Sequence, residues 1–196
     1  MTSGIMHKTV PELVDDFVRG SDAAFTELVH RYQRKVYSLA YQVLGNHLDA
    51  DEVVQETFVR IYRRRKELAE VKFFSTFLLR IASNYAIDVL RKQRGHSRMP
   101  EDSSSLPGEV QIDLARQVAT PSEEFENRAL LEEIKRALRE LPPRQQLTAI
   151  LHDIEGYSKA EIAAMLGCPE ATVRSNLHIA RSKLRKALKK RLRKGS

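Results

Sequence analysis

Apolar residues recur at three- and four-residue steps in segment after segment of this chain, the period of a helix with one buried face. Val10, Leu13, Val14, Phe17 and Val18 predict a first helix ending near Gly20. Ser21 is placed to cap a second, whose stripe is Phe25, Leu28, Val29, Tyr32, Val36, Leu39, Ala40 and Val43, with Gly45 and Asn46 as its stop. Asp49 starts a third, with Val53, Val54, Phe58 and Ile61 inward. Leu68 to Lys72 reads as a short connection, and Phe73 to Arg94 as a fourth helix. From Gly95 to Pro121 the periodicity disappears. That stretch holds three prolines, two glycines and four acids against two bases, the composition of a flexible linker. Ser122 to Leu141 then reads as a helix with Phe125, Ala129, Leu130, Ile134, Ala137 and Leu138 inward. Pro142 and Pro143 break it, and Arg144 to Glu155 makes another, with Leu147, Ile150, Leu151 and Ile154 inward. The expected fold is all-α: two small helical domains, residues 1–94 and 122–196, joined by a flexible linker at 95–121.

The last segment organises the rest. Ser158 can cap a short helix, with Glu161 three residues on to complete a capping box. Gly167 supplies a turn, and Pro169 suits the first position of the next helix. There Val173, Leu177, Ala180, Leu184 and Leu188 form the buried stripe, while Arg174, Ser175, His178 and Arg181 lie off it. A short helix, a glycine turn and a longer helix with polar residues in its first turns is the helix-turn-helix pattern. From Ala171 to Ser196 there are ten Lys or Arg and no acid. A basic wet face attracts phosphate by counterion release. A basic run alone fits an ordinary helical hairpin with a solvated tail. The turn glycine, the small Ala163 and the apolar spacing together favour DNA binding.

Composition narrows the partners. The net charge is +7 and the sequence pI about 9.6, which suits nucleic acid or an acidic protein. No apolar run has transmembrane length, and the N-terminus lacks a signal-peptide pattern. The single Cys168 excludes an internal disulfide and a multi-cysteine zinc site, and the six histidines show no ligand spacing. The expectation is a cytoplasmic protein with no metal, no cofactor and no membrane insertion.

Two earlier helices carry further patterns. In the third, Asp49, Asp51, Glu52 and Glu56 crowd the N-terminal end, while Arg60 and Arg63 to Lys66 occupy the other. This order complements the helix dipole. It does not account for Gln55 and Glu56 sharing a patch with Asp51 and Glu52, so a partner surface stays open. The fourth helix mixes Phe73, Phe74, Phe77 and Tyr85 with Arg80, Arg91, Lys92 and Arg94. Aromatics among cations suit single-stranded nucleic acid, although aromatics at helical spacing are more often core.

At this point the chain resembles the extracytoplasmic-function (ECF) sigma factors of bacterial RNA polymerase. AFTELVHRYQRKVYSLAYQVLGNHLDADEVVQETFVRIYRR is similar to the start of family region two, and FFSTFLLRIASNYAIDVLRK to its promoter-melting part. ALRELPPRQQLTAILHDIEGYSKAEIAAMLGCPEATVRSNLHIARSKLRKAL is similar to region four. The resemblance implies that 1–94 binds core polymerase and melts the −10 element, and that 122–196 reads the −35 element. It implies that Asp49, Asp51, Glu52, Gln55 and Glu56 dock on the clamp helices of the largest polymerase subunit. It implies that Leu68, Lys72, Arg80 and Asn84 serve the opened −10 strand, where an unstacked base needs stacking and polar edge contacts. Arg174, Ser175 and His178 would face the −35 major groove, with Arg181 near the backbone. Core polymerase with its flap region, promoter DNA and an anti-sigma factor are the implied partners. Phe77 stands where the family usually has tryptophan, and Asn176 and Ile179 where it often has arginine.

Two other functions compete. A stand-alone helix-turn-helix regulator would need no polymerase, but has no evident use for Asp49–Tyr62 and the aromatic fourth helix. An enzyme would have to use Cys168 and His178 as nucleophile and base. They lie at the turn and on the outer face of a DNA-reading unit, with no supporting acid or phosphate loop. No catalytic residue is expected.

Overall fold

The computed structural model describes residues 7–71, 73–96 and 121–192; side chains at 96, 121–129 and 190–192 lie outside that description. All regular structure among these residues is helical. Helix α1 is Val10–Val18, α2 Asp22–Leu44, α3 His47–Arg63 and α4 Phe74–His96. Then come α5 Pro121–Arg139, α6 Pro143–Ala149, α7 Lys159–Leu166 and α8 Glu170–Leu192.

Local chemistry sets most of the boundaries. Thr9 and Glu12 form a capping box at α1, and the Ser21 hydroxyl accepts from the Ala24 amide at α2. Gly45 closes α2 at φ 79°, a left-handed conformation that costs a side-chain-bearing residue strain. Asn46 belongs to the next element rather than to that stop. Its side chain accepts from the Asp49 amide, so α3 begins at His47, two residues earlier than the apolar pattern predicts. Helix α4 likewise runs two residues into the stretch expected as linker, and 97–120 lies outside the described residues.

Three further expectations are corrected. Leu68 does not sit in an open connection. Arg65–Glu70 is a 3₁₀ helix, and Leu68 is 1% exposed, packed into the core. The helix expected over Arg144 to Glu155 splits: α6 gives way at Ile150–Ile154 to a π-helical turn. A π turn adds a residue and rotates the side chains beyond it about the helix axis, which leaves Ile154 exposed rather than inward. Leu130 also faces outward, whereas Ala137 and Leu138 later in α5, and Leu141 beyond it, are buried; Phe125 and Ala129 lie outside the described side chains.

Helices α1 to α4 share one apolar core, with Leu13, Phe17, Leu28, Val36, Ile61, Leu78 and Leu79 almost wholly buried. That core does not stop at α4. Leu147, Ile150, Leu151, Ile162, Met165, Val173 and Leu177 of the C-terminal half continue it. Helices α6 and α7 lie directly against α4. The seam is also polar. Arg94 donates to the carbonyl oxygens of Leu141 at 2.6 Å and Arg139 at 2.7 Å, and to Gln146 Oε1 at 2.9 Å. Gln146, fully buried, donates to the Val43 carbonyl at 2.8 Å. Gln42 donates to Glu155 at 2.7 Å, and the Lys35 ammonium stands 5.1 Å over the Tyr157 ring. Burial pushes the Arg94 guanidinium below its ordinary pKa, and its three acceptors are what keep a desolvated charge tolerable there.

Gln146→Ala should therefore destabilise the full chain. It strands the Val43 carbonyl and removes an acceptor from Arg94, at a cost of about 1–3 kcal/mol. Urea unfolding measures this. Gln145→Ala, which loses only a surface contact with Lys183, should stay within about 0.5 kcal/mol of the parent.

Candidate polymerase and nucleic-acid interfaces

The first surface lies on α3. Asp51, Glu52 and Gln55 are exposed, and Glu56 is half-buried one turn after Glu52. Asp51 and Gln55 are also one turn apart, so the four side chains make two adjacent rows. Asp49 does not join them. Its carboxylate accepts from the Asn46 side chain and from Gln93 on α4, which ties the start of α3 to the end of α4. Next to the rows, α2 and α3 flank an open pocket of about 440 Å³ lined by Gln33, Arg34, Tyr37, Ser38, Tyr41, Asp51 and Val54. The Tyr37 hydroxyl meets His47 Nδ1, and the His47 ring lies 4.6 Å from that of Tyr41. Burial raises the Tyr37 phenol, with Asp51 adding to the effect.

The second surface is the outer strip of α4. Arg80 and Asn84 are exposed and one turn apart. Exposure of Asn84 leaves its amide donor and acceptor available instead of holding helices together. Arg80 lies against the glycine turn of the C-terminal half: a side-chain carbon on Gly167 would meet Arg80 Nη2 at 3.3 Å. Leu68, being core, offers no side chain to this strip. Lys72 lies outside the described residues.

A cross-helix network joins these two surfaces, and the sequence pattern did not reveal it. The Tyr85 hydroxyl donates to Glu52 at 2.5 Å. The Arg60 guanidinium stands 4.7 Å over the Tyr85 ring and donates to Glu56 at 2.7 Å. One turn on, just past the end of α3, Arg64 stands 5.5 Å over Phe77 and pairs with Glu67. The bond to Glu52 comes first among the causes that raise the Tyr85 phenol to about 12, followed by burial. Glu56 and Arg60 are an i,i+4 pair and could have been read from sequence. Tyr85 and Glu52 stand 33 positions apart and give no local signal.

The third surface is α8 with its turn. Ser158 and Glu161 form the expected capping box, with the Ser158 amide donating to Glu161 Oε2 at 2.9 Å and the Glu161 amide donating to Ser158 Oγ at 3.2 Å. Those bonds hold the Glu161 carboxyl below its ordinary range. Gly167 turns at φ 59°, and Pro169 stands just before α8. Val173, Leu177 and Ala180 are buried, while Arg174, Ser175 and His178 are exposed within the first turns. Arg174 makes a surface pair with Glu170 at 3.2 Å. Arg181 is engaged: it forks onto Asp153, which raises the guanidinium's pKa. Among the described residues no group of three or more His, Cys, Asp or Glu could hold a metal, and no helix is long and apolar enough to cross a membrane.

Two helical modules on one chain, the second a helix-turn-helix with a polar outer face, form the architecture of a DNA-reading protein. The sigma-70 region 2 model matches residues 28–96, and the sigma-70 region 4 model matches residues 131–184. The chain is 34% identical over 175 residues to the ECF RNA polymerase sigma-E factor of Escherichia coli, covering 86% of this chain and 88% of that protein. It is 28% identical to the ECF sigma factor SigW of Bacillus subtilis, across 94% and 99% of the two chains. It is 36% identical to the ECF sigma factor SigE of Mycolicibacterium smegmatis over 85% of its own length, and spans 62% of that longer relative. The fold is similar to that of CnrH, solved with the cytosolic domain of CnrY, at TM-score 0.62 and 24% identity over 90% of this chain and 95% of that one. It is also similar to the sigma factor RpoE of Bartonella quintana, solved with the anti-sigma factor NepR, at TM-score 0.60 and 20% identity over 84% and 96%. The chain belongs to the ECF sigma factors of RNA polymerase, which are transcription initiation factors and not enzymes.

The Tyr85–Glu52 bond requires a protonated phenol. Its contribution to stability is complete below a free tyrosine's pKa of about 10 and is lost as pH rises through the folded value of about 12. Glu52→Gln should bring the Tyr85 titration down toward the ordinary range, as followed by tyrosinate absorbance against a Tyr85→Phe reference.

Proposed function

We propose that this chain directs core RNA polymerase to promoters by dividing the task between its halves. The α3 rows of Asp51, Glu52, Gln55 and Glu56 dock on a basic surface of the polymerase, the clamp helices of its largest subunit. The α4 strip with Asn84 and Arg80 holds the opened −10 strand. The exposed first turns of α8, with Arg174, Ser175 and His178, read the −35 major groove, and Arg181 reaches phosphate once it leaves Asp153. Asp49 drops out of the docking set as a helix tie, and Leu68 out of the strand site as core. The observation that carries the reading is the pairing of both sigma modules in order on one chain, each with its polar face exposed. Residues 1–94 and 122–196 are the working units, and the cytoplasm, where polymerase acts, is their place.

The packed arrangement is then the form held away from promoters. By their labels the −10 and −35 elements lie about 25 base pairs apart, on the order of 85 Å of duplex at about 3.4 Å per pair. Helix α8, with 23 residues, is only about 35 Å long. With α7 lying on α4, one chain cannot reach both elements. Initiation requires the seam at Arg94 and Gln146 to open. A protein that binds both halves while they are packed would hold the factor inactive. The RpoE relative solved with an anti-sigma factor supports such control here.

Transcription in vitro with core polymerase on a library of genomic fragments tests the function. The reading predicts chain-dependent transcripts whose starts share two upstream elements. Sequence-specific DNA binding without any effect on initiation would instead establish a stand-alone regulator. Reversing Asp51, Glu52 and Glu56 to Lys should weaken assembly with core at least about tenfold, while the fold changes by only tenths of a kcal/mol per surface pair. Arg174→Ala should relax preference at one or two −35 positions, since a bidentate contact to a base edge is worth about 1–3 kcal/mol. Lys189→Ala, farther along α8, should weaken binding evenly across sequences.

A further inference from the structure

Ile179 is the one large apolar side chain of α8 that stands out into solvent among the described residues, 37% exposed. It is not part of the helix's buried stripe. Val173, Leu177 and Ala180 are 0%, 2% and 0% exposed, and Ile179 sits one position, about 100°, from the last of them. Its neighbours on the wet face are polar or cationic. Ser175 and Asn176 stand one turn before it, Ser182 and Lys183 one turn after it, and His178 about 100° to one side. A single exposed isoleucine on a protein surface is ordinary. This one borders Ser175, at the edge of the face that the chain is proposed to present to duplex DNA.

Resting on that reading of α8, we propose that Ile179 determines sequence preference by packing against the 5-methyl group of a thymine in the −35 major groove. The four base pairs present only one apolar group in that groove, the thymine methyl. From Ala171 to Ser196 the sequence bears ten cations and no acid. The partner that covers this face is therefore a polyanion rather than another apolar protein surface. Within such a partner the only chemical match for a branched alkyl group is that methyl. Isoleucine is also suited to the task because a β-branched side chain in a helix holds essentially one χ1 rotamer. Little freedom is lost when it docks. Arg174 and Arg181 then supply edge and phosphate contacts, and Ile179 supplies discrimination without charge.

The test uses holoenzyme assembled from the full chain and core polymerase. Selection from a promoter library randomised across the −35 element first defines the preferred sequence. Each thymine of that sequence is then replaced, one at a time, by deoxyuridine, which lacks only the methyl. At one position the replacement should reduce binding by the parent holoenzyme roughly fourfold, the value of about one buried methyl-sized group. Ile179→Ala should be indifferent to the same replacement and should lose the thymine preference there. Ile179→Val should keep most of it. Salt dependence should not change in either variant, because no charge is altered. An exposed site should tolerate both substitutions, and an unchanged thermal midpoint confirms folding. A selected element without thymine, deoxyuridine replacements that are all neutral, or Ile179→Ala holoenzyme that stays as sensitive as the parent would each overturn the proposal. A −35 preference that depends on Arg174 but ignores every methyl overturns this inference alone. The absence of any chain-dependent −35 preference overturns the reading of α8 with it.

Discussion

The half-buried guanidinium of Arg94, at the far end of α4, is the interaction on which this arrangement depends. It collects three oxygens from the C-terminal half, two of them backbone carbonyls at the end of α5 and just past it. A helix end leaves carbonyls without intrahelical partners, and a planar guanidinium can serve several at once. The same Gln146 that accepts from Arg94 donates to the last turn of α2. One charged group and one amide thereby tie the end of α5 and α6 to α4 and α2, and apolar contacts carry the core across the seam to α7. A polar seam of this kind is well matched to a contact that must be both specific and reversible. Its groups are satisfied when packed and can be satisfied by water when apart.

That packing determines what remains for partners. One side of α4 is committed to α2 and α3, another to α6 and α7. What is left is a narrow strip bearing Asn84, with Arg80 leaning on the turn of the C-terminal half. The strip meets the α3 carboxylates through Tyr85 and Arg60. A cationic surface that takes Glu52 and Glu56 competes for the same oxygens that hold those two side chains. The docking proposed for α3 and the state of the α4 strip are in this way physically linked, through bonds on an accessible face.

Much of this was legible in the sequence because much of it is local. Capping at Ser21 and the capping box of Ser158 with Glu161 span three residues, and Gly45 and Gly167 announce their left-handed turns. The apolar stripes of α2, α3 and α8 follow from periodicity alone. Misreadings occurred where the period itself changed. Leu68 lies in a 3₁₀ segment, so a buried residue looked like loop, and the π turn at Ile150 rotated Ile154 outward. Asp49 reads as one more docking acid because one of its partners, Gln93 of α4, can be assigned only with α4 in place. The seam was invisible for a simpler reason. Gln146 and Val43 are separated by 103 positions, and no pattern within a helix encodes a bond between two modules.

The distance between α4 and α8 tests most directly whether the halves are packed off DNA and part on the promoter. Spin labels placed at Asp88→Cys and Lys186→Cys, in a Cys168→Ser background, put probes on exposed sites outside the proposed contacts. Pulsed dipolar spectroscopy then compares the free chain with its complex on core polymerase and promoter DNA. The free chain should give one short distance, and the active complex a distance longer by tens of ångströms. A short distance that persists in a transcribing complex, or a free chain already as extended as the bound one, would contradict this.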